Sequence, residues 1–80
     1  MISINLLFWG VLSDVSQTKS TTITLANNSS LATLKQQVIA QYPKLTKYHF
    51  HCAVNHDMVQ EDVLLKDGDE VALMPPYAGG

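Results

Sequence analysis

Only one stretch of the chain, residues 30–42, has a helical repeat, and it lies between segments that alternate or are rich in β-branched residues. That placement restricts the fold more than any other feature. Leu31, Leu34, Val38 and Tyr42 recur at steps of three and four, with Lys35, Gln36, Gln37 and Gln41 on the other side. Such a stripe marks a helix that lays one face on a core. Upstream, Asn27-Asn28-Ser29-Ser30 offers short side chains that accept hydrogen bonds from the first free helical amides, and Pro43 disfavours helical geometry at the residue before it.

The flanking segments read as strands. Ile2, Ile4 and Leu6 alternate with Ser3 and Asn5 before the apolar Leu7-Phe8-Trp9, which predicts a strand over residues 2–8 that becomes more fully buried as it proceeds. Residues 10–16 have no clear period and form a connector with room for one helical turn. Residues 19–25 are rich in Thr and Ile and suit a half-exposed strand pairing back on the first. Over residues 48–54, Tyr48, Phe50, Cys52 and Val54 share one face of a strand while His49, His51 and Ala53 share the other. Asn55-His56-Asp57 turns the chain into a short Met58-Val59 return, and Lys66-Asp67-Gly68-Asp69 is a turn before a closing strand over residues 70–74.

Two strands, a helix and a closing set of strands cannot all be joined by tight hairpins. The helix must carry a crossover that lays a late strand parallel to the first. The expected fold class is α+β: a β-grasp with a mixed sheet and one main helix packed on it, occupying residues 1–74, followed by an extended tail over 75–80. Eighty residues with 46% apolar content support one core and one domain. A formal charge of −2 gives no basic stripe for a phosphate backbone, so nucleic acid is not an expected partner. No apolar run approaches the roughly 20 residues that span a bilayer, and residues 1–10 lack the pattern of a signal peptide, so a cytoplasmic location with no membrane partner is expected. The lone Cys52 agrees with a reducing compartment.

Three constellations bear on chemistry. His49, His51, Cys52 and His56 include the ligand types zinc prefers, but on a strand Cys52 points away from His49 and His51, and the spacings of small zinc folds are absent. Cys52 is therefore expected in the core, the histidines on a solvated or partner-facing surface, and no metal is assigned. A thiol among Phe and Val is also a poor nucleophile. Asp14, Asp62, Asp67, Asp69 and Glu70 lack calcium-loop spacing, and residues 67–70 have the composition of a solvated turn. No glycine-rich phosphate loop, GxSxG or dinucleotide fingerprint occurs.

The last residues differ. Gly79 and Gly80 are two of only four glycines, and they follow Pro75-Pro76-Tyr77-Ala78, whose prolines cannot extend a sheet. Residues 75–80 read as a stiff arm reaching roughly 20 Å at ~3.3 Å per residue, enough to insert a carboxylate into another protein's active site. Without a Cβ, Gly79-Gly80 can pass a narrow channel. An ordinary frayed end is the alternative that physics alone leaves open.

The run Lys66-Asp67-Gly68-Asp69-Glu70-Val71-Ala72-Leu73-Met74-Pro75-Pro76-Tyr77-Ala78-Gly79-Gly80 closely resembles the end of the molybdopterin synthase small-subunit family, ubiquitin-like sulfur carriers of β-grasp fold. Leu7-Phe8-Trp9-Gly10-Val11-Leu12-Ser13-Asp14 is similar to the family's aromatic first strand and the segment after it, with Ser13 where a basic residue is usual. The resemblance implies that the Gly80 carboxylate is adenylated by an E1-like adenylating enzyme using ATP, is converted to a thiocarboxylate with sulfur from a donor protein, and delivers sulfur to cyclic pyranopterin monophosphate inside the large catalytic subunit of molybdopterin synthase. It implies no cofactor bound by this chain and no catalysis by the chain alone. Gly79 would give access, and Met74, Pro75, Pro76, Tyr77 and Ala78 would line the partner's groove. The exposed face of the closing strand, with Phe8 or Trp9 nearby, would add an apolar docking patch unless Phe8 is core. Two rival readings are another Gly-Gly carrier or modifier, of the thiamine-pathway or ubiquitin-like kind, and a β-grasp interaction domain whose terminus does nothing.

Overall fold

A computed structural model describes residues 1–75. Its elements are β1 (Ile2–Phe8), α1 (Val11–Ser16), β2 (Ser20–Leu25), α2 (Leu31–Gln41), a 3-10 helix (Pro43–Lys47), β3 (His51–Val54), β4 (Asp57–Val59) and β5 (Glu70–Met74). The five strands form one sheet in the order β2-β1-β5-β3-β4. β1 is antiparallel to β2 and parallel to β5, with Leu6 opposite Val71 and Phe8 opposite Leu73. The crossover expected from the lone helix is therefore present, and the mixed sheet with its helix is the β-grasp arrangement.

Alternation along β1 sends Ile2, Ile4, Leu6 and Phe8 into the core, where Leu31, Leu34 and Val38 of α2 meet them together with Ile23, Leu25, Leu45, Cys52, Leu65, Val71 and Leu73. The Phe8 ring packs edge-on against Tyr42, with centroids 5.2 Å apart and planes at 77°. This geometry is favourable for two aromatic quadrupoles. Phe8 is thus core, which removes it from any docking patch.

The start of α2 is secured from two directions. Ser30 accepts a hydrogen bond from the Thr33 amide at 3.4 Å, and the Asp62 carboxylate accepts one from the Ala32 amide at 2.9 Å. The second acceptor comes from a loop thirty residues away, whose Val63 carbonyl also takes the Leu31 amide. A carboxylate at a helix N-terminus also meets the positive end of the helix dipole.

Two segments differ from the sequence expectation. The connector after β1 contains a six-residue helix, α1, which starts at Gly10 with φ 57° and ends at Gln17 in the left-handed region. It buries Leu12 completely, and that burial selects a helix where the polar and apolar order shows no period. The expected strand over 48–54 is shorter: only His51–Val54 pairs. Pro43 begins the 3-10 helix, Leu45 is fully buried, and the Tyr48 amide donates to the Leu45 carbonyl. Anchoring Leu45 thus holds Tyr48 out of the sheet. The alternation itself survives, since Phe50, Cys52 and Val54 face the core.

The acidic turn before β5 is more than solvated loop. The Asp67 carboxylate accepts the Ser3 amide at 2.7 Å, and Asp69 accepts the Lys66 amide at 2.8 Å and the Asn55 side-chain amide at 3.0 Å. Gly68, at φ 86°, makes the bend that directs its own amide to the Ser3 carbonyl. The carboxylates here fix where β5 enters between β1 and β3.

Candidate functional site

The sheet has a second apolar face. On the side away from α2, Leu7 of β1, Ala53 of β3, Met58 of β4 and Ala72 and Met74 of β5, with Trp9 beyond the end of β1, line a groove of about 170 Å³ whose polar residues are His56 and Glu70. The floor is made of small side chains: Ala53 and Ala72 lie opposite each other in the β3–β5 ladder and are nearly covered by their neighbours. The walls are large and open to solvent, with Trp9 53% and Met58 57% exposed. Large apolar surface left uncovered beside a small-residue floor is the form of a docking site rather than of a core.

The groove leads to the root of the tail. The Trp9 amide donates to the Leu73 carbonyl at 3.0 Å, which continues the β1–β5 pairing to the last turn of strand. At Gly10 a side chain is disfavoured on two counts. Its φ of 57° is costly for an L-residue, and a Cβ there would stand 3.2 Å from Cγ of Pro75. The corner between β1 and α1 is therefore shaped to receive Pro75. Of the residues the sequence assigned to the tail and its contacts, Met74 lines the groove and Pro75 sits half-buried against Gly10. Pro76, Tyr77, Ala78, Gly79 and Gly80 lie outside the described residues.

The β3–β4 hairpin builds the groove's polar end. Asn55 and His56 form its two-residue turn with φ of 51° and 74°, both in the left-handed region. Such a turn matches the twist of the strands it joins and usually carries Asn followed by Gly. Asn55 also ties the turn to β5. Its side chain accepts the Glu70 amide at 3.0 Å and donates to Asp69, while its own amide donates to the Glu70 carbonyl at 2.7 Å. His56 has no such backbone role. Its Nε2 stands 3.3 Å from Oε2 of Glu70, and its side chain is 87% exposed.

Cys52 is 2% exposed on the core side, and burial pushes its thiol pKa up, with Lys35 opposing the shift. It is a poor thiolate at neutral pH. His51 is exposed on the opposite face, as its place in the alternation requires. Among the described residues no group of three or more His, Cys, Asp or Glu is placed to hold a metal ion, and no helix is long and apolar enough to cross a membrane.

Sequence reasoning placed the patch on the closing strand and near Trp9, and the histidines on a solvated or partner-facing surface, but missed Leu7, Ala53, Met58 and the pairing of His56 with Glu70. The signal available for Leu7 was a break in alternation, since it carries an apolar side chain where Ser3 and Asn5 are polar.

Comparison with known proteins agrees with this arrangement. The sequence profile described as the ThiS family matches residues 6–80. A protein of Mycobacterium tuberculosis named molybdopterin synthase sulfur carrier subunit is 33% identical, with all of both chains covered. Among solved structures, a Pyrococcus furiosus protein described as molybdopterin converting factor subunit 1 superposes with a TM-score of 0.90 at 20% identity, covering 96% of this chain and 100% of the other. A complex of subunits 1 and 2 of the Helicobacter pylori molybdopterin-converting factor contains a chain that matches with a TM-score of 0.72 at 24% identity, covering 99% and 100%.

Proposed function

Because this chain belongs to the ThiS family, we propose that it is a sulfur carrier for molybdenum cofactor biosynthesis, acting through a thiocarboxylate at Gly80. The observation that carries the reading is the full-length match to a relative named molybdopterin synthase sulfur carrier subunit. The Gly79-Gly80 end and the groove that leads to Pro75 agree with it.

The chemistry requires little of the domain itself. A carboxylate is a poor electrophile until one oxygen joins a good leaving group. An E1-like enzyme supplies that group: the Gly80 carboxylate attacks the α-phosphate of ATP, pyrophosphate leaves, and an acyl adenylate forms. The terminal sulfur of a persulfide on a donor protein then displaces AMP, and a thiol reductively cleaves the S–S bond of the acyl disulfide so formed, releasing the donor and leaving one sulfur in place of one oxygen. In the large catalytic subunit the thiocarboxylate sulfur attacks cyclic pyranopterin monophosphate, and hydrolysis of the acyl–sulfur bond restores the carboxylate. The domain contributes a rigid base, a directed tail and an apolar face on which the large subunit docks. Cys52 has no part, because its thiol is buried and protonated.

Deleting Gly80 tests the reading. It moves the carboxylate back by ~3.3 Å, and a misplacement of about 1 Å already costs two orders of magnitude in rate. The shortened chain should fold and bind the large subunit, yet fail to support molybdopterin formation with purified activating enzyme, ATP, sulfur donor and pterin precursor. Normal formation would return the chain to the class of plain interaction domains.

A further inference from the structure

We propose that Glu70 is the seat for a cationic side chain of the protein that docks on the open sheet face, so that this face selects a partner presenting a Lys or Arg beside an apolar plug. The inference rests on the sulfur-carrier reading and concerns how its docking face chooses a partner.

The groove is apolar on its floor and on all but one end. Glu70 is at that end, half-buried at the start of β5, and it also borders the polar side of the sheet formed by Asn5, Ser20, Thr21 and Thr22. Its only ion-pair partner among the described residues is His56. The chain has five Lys and no Arg, and neither lining set around Glu70 contains a lysine. The carboxylates of its neighbours are otherwise engaged: Asp67 and Asp69 accept amides of Ser3, Lys66 and Asn55. Among the described residues, Glu70 presents its carboxylate to the groove without a backbone or lysine partner. Covering it with an apolar partner surface would strand a charge, which is costly, whereas a partner cation converts that cost into a charge-assisted hydrogen bond.

His56 fits the same reading. The second position of its turn favours Gly, yet a histidine is held there at φ 74° with its ring on Glu70. Asn55 ties the turn to β5 with three hydrogen bonds of its own, so the imidazole is not needed for the hairpin. Its place is explained if it screens the Glu70 carboxylate in the free chain and moves aside for a stronger donor. The groove's size matches one long side chain, whose methylenes would lie over Ala53 and Ala72 with the charged head at Glu70. Continuity with Met74 and Pro75 puts this contact on the surface that must approach the partner when the tail enters it.

The test is calorimetric titration of the large molybdopterin synthase subunit from the same organism with the full-length chain, at low and high sodium chloride. Glu70→Gln should weaken binding at least tenfold at low salt and flatten the salt dependence, Glu70→Lys should weaken it further, and Glu61→Gln, outside the groove, should match the unaltered chain. Circular dichroism checks that each variant is folded. His56→Gly should bind severalfold tighter at low salt, and weaker binding would overturn the screening role. Equal affinity and salt slope for Glu70→Gln and the unaltered chain would overturn the cation seat while leaving the sulfur-carrier reading intact. No binding by the unaltered chain would overturn both, and self-association through the groove at the same concentrations would assign it to a second copy instead.

Discussion

Both faces of the sheet carry apolar side chains, and among the described residues only one face is covered by other elements. On one face Ile4, Leu6, Val71 and Leu73 lie under Leu31, Leu34 and Val38 of α2 and are almost completely buried. On the other, no helix among the described residues packs over Leu7, Ala53, Ala72 and Met74, and Trp9 and Met58 stand in solvent around them. The first face is stabilised by removing apolar area from water during folding; the second retains area that can be removed only on association. Substitutions on the two faces should therefore separate stability from binding.

The largest effect on folding is expected on the closed face. Leu34→Ala, at a fully buried position beneath α2, should cost about 2–5 kcal/mol by chemical denaturation. Met58→Ser on the open face should change stability by roughly 0.5 kcal/mol or less, the usual range for surface sites, while weakening binding to the large subunit about tenfold or more. Similar denaturation midpoints for the two variants would break the distinction between the faces. Cys52→Ser sharpens it from inside: a hydroxyl in place of the buried thiol should cost about 1–3 kcal/mol, yet sulfur transfer by the folded fraction should continue. Since burial raises the thiol pKa, Cys52 should also resist alkylation near neutral pH in the folded chain and react at an ordinary rate once unfolded. The smallest effect is at the hairpin, where His56→Gly relieves a left-handed L-residue and should stabilise by about 1 kcal/mol or less, read as a small rise in Tm.

How much of this was legible in the sequence follows the same division. The closed face announces itself by period: Ile2, Ile4 and Leu6 alternate, Leu31, Leu34 and Val38 repeat helically, and the two patterns together imply the parallel β1–β5 pairing. The open face has no period of its own. Leu7-Phe8-Trp9 reads as a strand becoming fully buried, whereas Phe8 is core, Leu7 is half-buried in the groove and Trp9 is exposed. Ala53 and Ala72 become neighbours only through the pairing of β3 with β5, which joins residues nineteen positions apart. The 3-10 helix was illegible for a related reason: the burial of Leu45 is decided by α1 and α2 around it, and propensity carries no trace of that. The tail motif is read from residue order alone, because prolines fix φ and glycines open conformations closed to other residues whatever surrounds them, and residues 76–80 lie outside the described residues.

The central claim is that the reacting atoms belong to Gly80 and to no side chain of the domain. Its most direct test is the intact mass of the full-length chain after incubation with its activating enzyme, ATP and sulfur donor, followed by mapping of the C-terminal peptide. A mass gain equal to exchange of one oxygen for sulfur, confined to that peptide and absent when one residue is added after Gly80, is the predicted result. An unchanged C-terminal peptide, or sulfur recovered on Cys52, would contradict it.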